Sequence, residues 1–461
     1  MPKIASSVGM LGTETALDVL VKARAVEARG RKVIHLEVGE PDFPTPGHIV
    51  EAGIRALRDG YTRYGAPGGS QTLREAICEH LAERGVRASP EHVVVTPGAK
   101  PNLFYGFLAT ISPGDEVLIP DPGFPIYASM VRFCGATPVS VPPCLDQGRA
   151  LDLDALERLI TPRTRMIVFN SPSNPTGAIV PDADLRRLAA LAERHDLWVI
   201  ADEIYRRICY GEKAPSIAAL PGMLGRTILV DGFSKAYAMT GWRLGWALYP
   251  AALAPHAIRL VINSNTCTAA FVQEAGTAAL RGPQDVVDAM VAQFRRRRDA
   301  IVARLARIPG VRCHAPAGAF YAFPDVRALP IPAAAFADRL LEEETVALLD
   351  GSGFGAGQDG VAFRVEQDVQ RQIDIVARHA GPSPTRAFVP VAGRPSGGDD
   401  APGLLSLAEK KHAVAAADLL AARAAPVASE GAGVPQPRDV ATQIAPGVDP
   451  RIPRKQKRPM H

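Results

Sequence analysis

The sequence predicts an α/β protein in which a large domain, with a mostly parallel central sheet flanked by helices, is joined to a small α/β domain. Two observations carry that expectation. Short apolar, β-branched runs recur at 92–96, 116–120, 164–169, 197–201, 226–230 and 244–248. They are apolar throughout instead of alternating, the pattern of strands buried on both faces in a parallel sheet. Between them lie segments with apolar residues at helical spacing, such as 102–111 and 185–195. Strand, helix and strand therefore alternate as crossover connections require.

The chain of 461 residues is long enough for two or more domains, and 47% hydrophobic with 22% charged residues is ordinary for a soluble globular enzyme. A net charge of +4 argues neither for nor against an acidic partner. Cys78, Cys134, Cys144, Cys209, Cys267 and Cys313 are scattered without a C-x-x-C pair. They read as reduced thiols of a cytoplasmic protein, and none is a metal-site candidate. No apolar stretch is long enough to span a membrane, and no signal-peptide core follows Met1.

Taken in order, segment 13–30 places Leu17, Leu20, Val21 and Ala25 at helical spacing and ends in Gly30, as an amphipathic helix closed by glycine would. A short strand at 33–36 leads into Val38-Gly-Glu-Pro-Asp-Phe-Pro-Thr-Pro46, a rigid irregular loop. The Gly-rich stretch after Tyr64 opens a helix running to 84. Strand 92–96 turns through Pro97-Gly-Ala-Lys100 into the next helix. A helix N-terminus presents unpaired N–H groups and the positive end of a dipole, so Gly98, Ala99 and Lys100 read as an anion cradle. Phe124, between prolines after strand 116–120, is either a core residue or a flat face for a planar ligand. Strand 164–169 delivers the turn Asn170-Ser-Pro-Ser-Asn-Pro-Thr-Gly177, and strand 197–201 ends at Asp202-Glu-Ile-Tyr205. An acid closing a buried apolar strand is costly unless partnered. Asp202 is therefore a functional carboxylate or, more plainly, a helix cap.

Segment 285–308 reads as a long helix. Its four arginines, Arg295 to Arg298, point in different directions and suggest a solvated face instead of a nucleic-acid stripe. A smaller α/β unit runs from 318 to about 380. Beyond 381, Gly, Pro, Ala and Ser dominate, and so few large apolar residues remain that the tail is expected to be disordered or loosely docked. It is either an appended interaction segment or an extension translated from an altered reading frame.

The chemistry centres on Lys235, in the loop just past strand 226–230, where open α/β sheets place their sites. Aromatic and small neighbours strip water from the amine and lower its pKa, leaving it able to condense with an aldehyde. Arg243 supplies a fixed cation for a phosphate. Lysine imine plus phosphate anchor points to pyridoxal phosphate, whose ring nitrogen a carboxylate such as Asp202 keeps protonated; a surface lysine and an ion-pairing arginine are the plainer reading.

Gly232-Phe-Ser-Lys235, followed by Ala238-Met239, Gly241, Arg243 and Leu244-Gly245, resembles the lysine-attachment signature of the class I/II aminotransferases, the fold-type I pyridoxal phosphate enzymes. Further motifs in the family's order extend the resemblance over roughly 10–380. It implies a homodimer in which Lys235 holds the cofactor as an imine and acts as general base. Ser234, Gly98, Ala99, Lys100 and Arg243 would serve the phosphate, Phe124 the ring face and Asp202 the ring nitrogen. Asn174 and Tyr205, the latter one helical turn beyond Asp202, would bond the phenolic oxygen. Tyr64 would reach the neighbouring subunit's phosphate, with Thr266 a further contact there. Gly39, Asn174 and Arg364 would receive the substrate, Arg364 as the clamp on its α-carboxylate. The sequence departs from the family's R-x-S-[FY] at Arg364-Val-Glu-Gln-Asp368, and Asp350 replaces a usual proline.

The implied domains are an N-terminal segment 1–45 joining the small domain, a large cofactor domain 46–280, a small C-terminal domain 281–380 and the tail 381–461. The implied activity is amino transfer from an L-amino acid to a 2-oxo acid such as 2-oxoglutarate. Aspartate is the first expectation for the donor, because a lysine at the position of Lys100 meets a distal carboxylate in aspartate-accepting relatives; aromatic and neutral amino acids follow. A β-lyase on the same scaffold, or a cofactor-binding interaction protein impaired at Arg364, are the alternatives. None of these readings involves nucleic acid, a membrane or a metal.

Overall fold

The computed structural model describes residues 2–145, 148–355 and 360–364, with the side chains of 362–364 excepted. The tail expected at 381–461 lies outside the described residues. After a first short strand, β1 (Ile34–His35), seven strands build the central sheet. They are β2 (Val93–Thr96), β3 (Glu116–Pro120), β4 (Thr137–Val141), β5 (Thr164–Asn170), β6 (Trp198–Asp202), β7 (Thr227–Gly232) and β8 (Gly245–Leu248). Their order is β2-β8-β7-β6-β5-β3-β4. Neighbours from β7 through β4 pair parallel, whereas β8 runs antiparallel to both β2 and β7.

Two antiparallel steps cancel, so β2 points the same way as β7. The carboxyl ends of β2, β3, β5, β6 and β7 therefore open on one edge of the sheet, the edge at which such sheets bind ligands. Every residue of β2, β3, β7 and β8 is buried. Along β5, Met166 and Val168 pack into one apolar cluster, while Ile167 and Phe169 pack into another on the opposite face. Helices cover both faces, as the unbroken apolar runs require. The sequence reading missed β4, whose Thr137 and Ser140 are exposed on the sheet's outer edge. One buried face makes a weaker apolar signal than two.

The first strand pairs in parallel with β10 (Val346–Ala347), so the two ends of the described chain meet. Three further strands, β9 (Tyr321–Ala322), β11 (Leu349–Asp350) and β12 (Val361–Arg364), make an antiparallel sheet in the order β11-β12-β9. Leu36 shares a core here with Ile301, Leu305, Phe336, Leu340, Val346 and Val361.

Two expectations need correction. The first helix, Thr15–Glu27, turns Ala23 and Val26 inward against Val33, Leu341 and Ala347, and leaves Leu17 and Val21 57% and 68% exposed. Its true stripe is short and built from small residues, so periodicity in the larger ones misled. Its exit is as expected: Gly30 adopts φ +81° and its N–H donates to the carbonyl of Glu27 at 2.8 Å. In the helix Asp285–Leu305, Arg295 and Arg296 are solvated but Arg297 and Arg298 are not. Arg297 pairs with Asp42 at 2.7 Å and lies over the Phe43 ring, and Arg298 donates to the Pro316 carbonyl and lies over Tyr210. Half of the arginine run thus binds the helix to the loops beside the site.

Candidate active site

The sheet edge opens into a cavity of about 320 Å³. Its wall includes Gly39, Ala99, Lys100, Phe124, Asn174, Asp202, Tyr205, Ser234, Lys235 and Arg243, all singled out by sequence and drawn from separate segments. Strand register explains the meeting of two of them. Asn170 closes β5 directly opposite Asp202 on β6, and its side-chain amide donates to the Asp202 carbonyl at 2.8 Å. The Asn170 oxygen in turn accepts the Asn174 backbone N–H at 2.6 Å. This bond fixes the turn that carries Asn174, whose own side-chain oxygen is buried without a hydrogen-bond partner.

Lys235 follows β7 in a tight turn and is only partly open to the cavity. Its ammonium donates to the Gly39 carbonyl and lies 6.0 Å and 5.9 Å from the ring centres of Tyr205 and Phe320. Burial among these rings lowers its pKa to about 8. The same turn holds Ala238 and Arg243 at φ 49° and 55°, left-handed conformations that non-glycine residues rarely adopt. Backbone strain of this kind gathers where a chain is bent to place a group. Arg243 reaches back to the carbonyl of Pro97 at 3.4 Å. Gly98 adopts φ +86°, and a Cβ there would lie 2.2 Å from an Arg243 guanidinium nitrogen. The turn is thus open only to glycine, and the helix Lys100–Thr110 begins directly behind it.

Asp202 is 5% exposed and accepts the Tyr127 hydroxyl at 2.6 Å and the Ile204 N–H at 3.2 Å. Burial raises its pKa to about 6; the Tyr127 bond opposes that rise. Asp202 caps no helix, since residues 204–207 form a turn. Tyr205 is therefore placed by that turn and not by a helical repeat, which corrects the expected geometry. The Tyr205 hydroxyl lies 2.6 Å from that of Tyr321.

Lys100 pairs with Glu14, and its ammonium lies 5.5 Å from the Phe124 ring centre. Tyr64 is 87% exposed and is not part of the cavity wall, and Thr266 is also exposed. The backbone of Arg364 stands opposite Tyr321 in the β12–β9 pair; its side chain lies outside the described residues. Sequence reasoning missed Tyr127, Asn170, Tyr321 and Glu14. Tyr127 and Asn170 lie within segments already singled out, whereas Tyr321 and Glu14 arrive from distant parts of the chain.

The family model described as "Aminotransferase class I and II" matches residues 31–371. An arginine–pyruvate transaminase of Pseudomonas aeruginosa is 39% identical over 75% of this chain and 88% of its own length. An aspartate aminotransferase of Musicola paradisiaca is 39% identical over 77% and 90%. The solved aromatic aminotransferase of Pyrococcus horikoshii superposes with a TM-score of 0.73 at 38% identity, covering 79% of this chain and 98% of that one. Fold, site and similarity agree, and the chain belongs to the class I and II aminotransferases, a family of pyridoxal phosphate-dependent transferases.

Proposed function

We propose that the protein moves an amino group from an L-amino acid to a 2-oxo acid with pyridoxal phosphate. The observation that carries this is one cavity holding a desolvated amine, Lys235, a buried carboxylate, Asp202, and a glycine-only turn covered by Arg243. The residues fit the cofactor: Asn174 keeps a buried side-chain oxygen unpartnered, and the Arg243 guanidinium lies directly over the Gly98 turn, where a Cβ would meet it at 2.2 Å.

When bound, the cofactor supplies an electron sink for the bonds at the donor's Cα. The chain supplies the rest. Lys235 would hold the cofactor through its amine, and the freed amine would carry the proton at the donor's Cα. Because its pKa is about 8, it gives up and takes protons readily near neutrality. Asp202, ionised above about pH 6, holds a proton on the ring nitrogen, with Tyr127 steadying its charge. The amides of Gly98 and Ala99, the Lys100 backbone, Ser234 and Arg243 receive the phosphate. Phe124 would face the ring, and Asn174 and Tyr205 would hold its phenolic oxygen. Gly39 and Arg364 receive the donor's carboxylate.

A homodimer completes the site, with Tyr64 reaching the neighbour's phosphate. Supporting this, Tyr64 is 87% exposed and a run of N-terminal apolar side chains, Ile4, Val8 and Val21, is more than half exposed. The β1–β10 pairing supports the division into 1–45 with 281–380 against 46–280. Among the described residues no helix is long and apolar enough to cross a membrane.

The test is a spectral screen. Protein loaded with pyridoxal phosphate is mixed with each of the twenty amino acids and, in a second step, with oxo acids. Amino transfer requires a donor to shift the cofactor absorbance and a 2-oxo acid to restore it. Pyruvate and ammonia released without an acceptor would establish elimination instead, and no response to any donor would leave only a binding protein.

A further inference from the structure

The cavity mouth carries a charge arrangement that the reaction does not require. Among the described residues of its wall, the cations are Lys100, Lys235 and Arg243. Lys235 and Arg243 are committed to the cofactor under the reading above, which leaves the Lys100 ammonium as the cation for a donor's distal group. That ammonium is already taken: Glu14, from the segment just before the first helix, pairs with it inside the same cavity. Both groups line the same cavity as Lys235. The glutamate side chain is only 26% exposed. A second carboxylate of the wall, Glu40, accepts from Thr240 at 2.6 Å and adds more negative charge. The Phe124 ring lies 5.5 Å from the Lys100 ammonium, and Leu17 and Phe354 add apolar surface to the same wall.

We infer that Glu14 sets donor choice by occupying Lys100 as a built-in distal carboxylate, so the enzyme selects amino acids with uncharged apolar or aromatic side chains over dicarboxylic ones. The inference rests on the amino-transfer reading and overturns the expectation that Lys100 marks an aspartate enzyme. A donor carboxylate has to displace Glu14 from its partner and then lie near the displaced charge, a like-charge contact that disfavours it. An uncharged side chain leaves the pair intact and packs on the rings.

The test compares kcat/KM for the donor half-reaction, read from the cofactor absorbance, with aspartate and with phenylalanine. The proteins are the wild type, Glu14→Gln and Glu14→Gln/Lys100→Met. In the wild type, phenylalanine is expected to exceed aspartate. Glu14→Gln, which keeps the side chain's shape, frees the ammonium and raises the aspartate-to-phenylalanine ratio about tenfold or more, the scale of one charge-assisted contact. Adding Lys100→Met abolishes that gain. A wild type that prefers aspartate, or a ratio unchanged in Glu14→Gln, overturns the inference while leaving amino transfer standing. No reaction with any donor in any of the three removes the amino-transfer reading and this inference with it.

Discussion

Replacing Tyr127 by Phe removes a single hydroxyl from the cavity floor and tests how the site controls its carboxylate. That hydroxyl donates to Asp202 at 2.6 Å inside a buried site. A hydrogen bond to a charged group contributes roughly 1.5–3 kcal/mol, and this one favours the ionised form of the acid. One pKa unit corresponds to about 1.4 kcal/mol. Losing the bond therefore moves Asp202 upward from about 6 by about one to two units, into the range of pH 7–8. At pH 7 the wild-type carboxylate is mostly ionised, whereas in Tyr127→Phe half or more of the molecules carry the proton. Pairing with a protonated ring nitrogen then requires ionising Asp202 first, which weakens cofactor binding about two- to tenfold at pH 7 and hardly at all at pH 9. Titrating cofactor-free protein with pyridoxal phosphate by absorbance between pH 6 and 9 measures the ratio of variant to wild-type Kd. Effects of pH on the cofactor itself cancel in that ratio. A ratio that stays constant with pH would refute the argument and leave Tyr127 as a packing residue.

Lys235→Ala is expected to abolish borohydride trapping of the cofactor on the protein. In the wild type the rate at which cofactor-free protein forms the imine with added cofactor, read by absorbance, should climb as pH rises through about 8, because the reactive free amine accumulates above the lowered pKa; a rate flat from pH 7 to 9 contradicts the desolvated amine. Gly98→Ala forces a side chain into a left-handed turn and against Arg243, costing about 1–2 kcal/mol in conformation alone. Its cofactor Kd should rise more than tenfold while other α-to-small surface changes do not move it. The Arg84 side chain is 5% exposed and holds Asp231 at 2.8 Å and Glu203 at 3.4 Å, so Arg84→Met takes the cation from Asp231, leaves Glu203 with the Ser216 hydroxyl and Arg206 at 3.6 Å, and should lower stability by about 3 kcal/mol near pH 8. Burial already pushes Glu203 up to about 7. Its folded pKa rises further without the arginine, so the native state binds protons more tightly than the unfolded chain and stability falls as pH rises. The deficit in urea unfolding should therefore shrink at pH 6; an equal deficit at both pH values contradicts the loss of a cation beside these carboxylates.

What was legible in the sequence follows the physics of each signal. Strands buried on both faces announce themselves by composition, and all six central ones were readable, while the half-exposed β4 was not. Asp202 was readable because it closes a buried strand, and Lys235, Asn174 and Arg243 because they lie in the turns that follow or join such strands. Tyr205 lines the cavity, brought there by a turn and not by the expected helix. The first helix failed because periodicity counts apolar residues without knowing which neighbour they meet. Leu17 lines the cavity, and Val21 lies outward.

The residues that escaped notice share a cause. Tyr321 and Glu14 act on Tyr205 and Lys100, but they lie 116 and 86 positions away in the chain. No local pattern links such pairs, and only the fold brings them together. This matters for function because the two classes of residue do different work. Groups that any pyridoxal phosphate site needs are held at strand ends, where local sequence dictates position and the motif can be read. Glu14, the group inferred to discriminate between donors, arrives from the N-terminal segment, outside the sheet, where a single substitution can change the partner of Lys100 without disturbing a strand. Relatives at about 39% identity carry names as different as arginine–pyruvate transaminase and aspartate aminotransferase. On the reading above, reaction type rests on the sheet edge and donor choice on the N-terminal segment whose Glu14 meets Lys100.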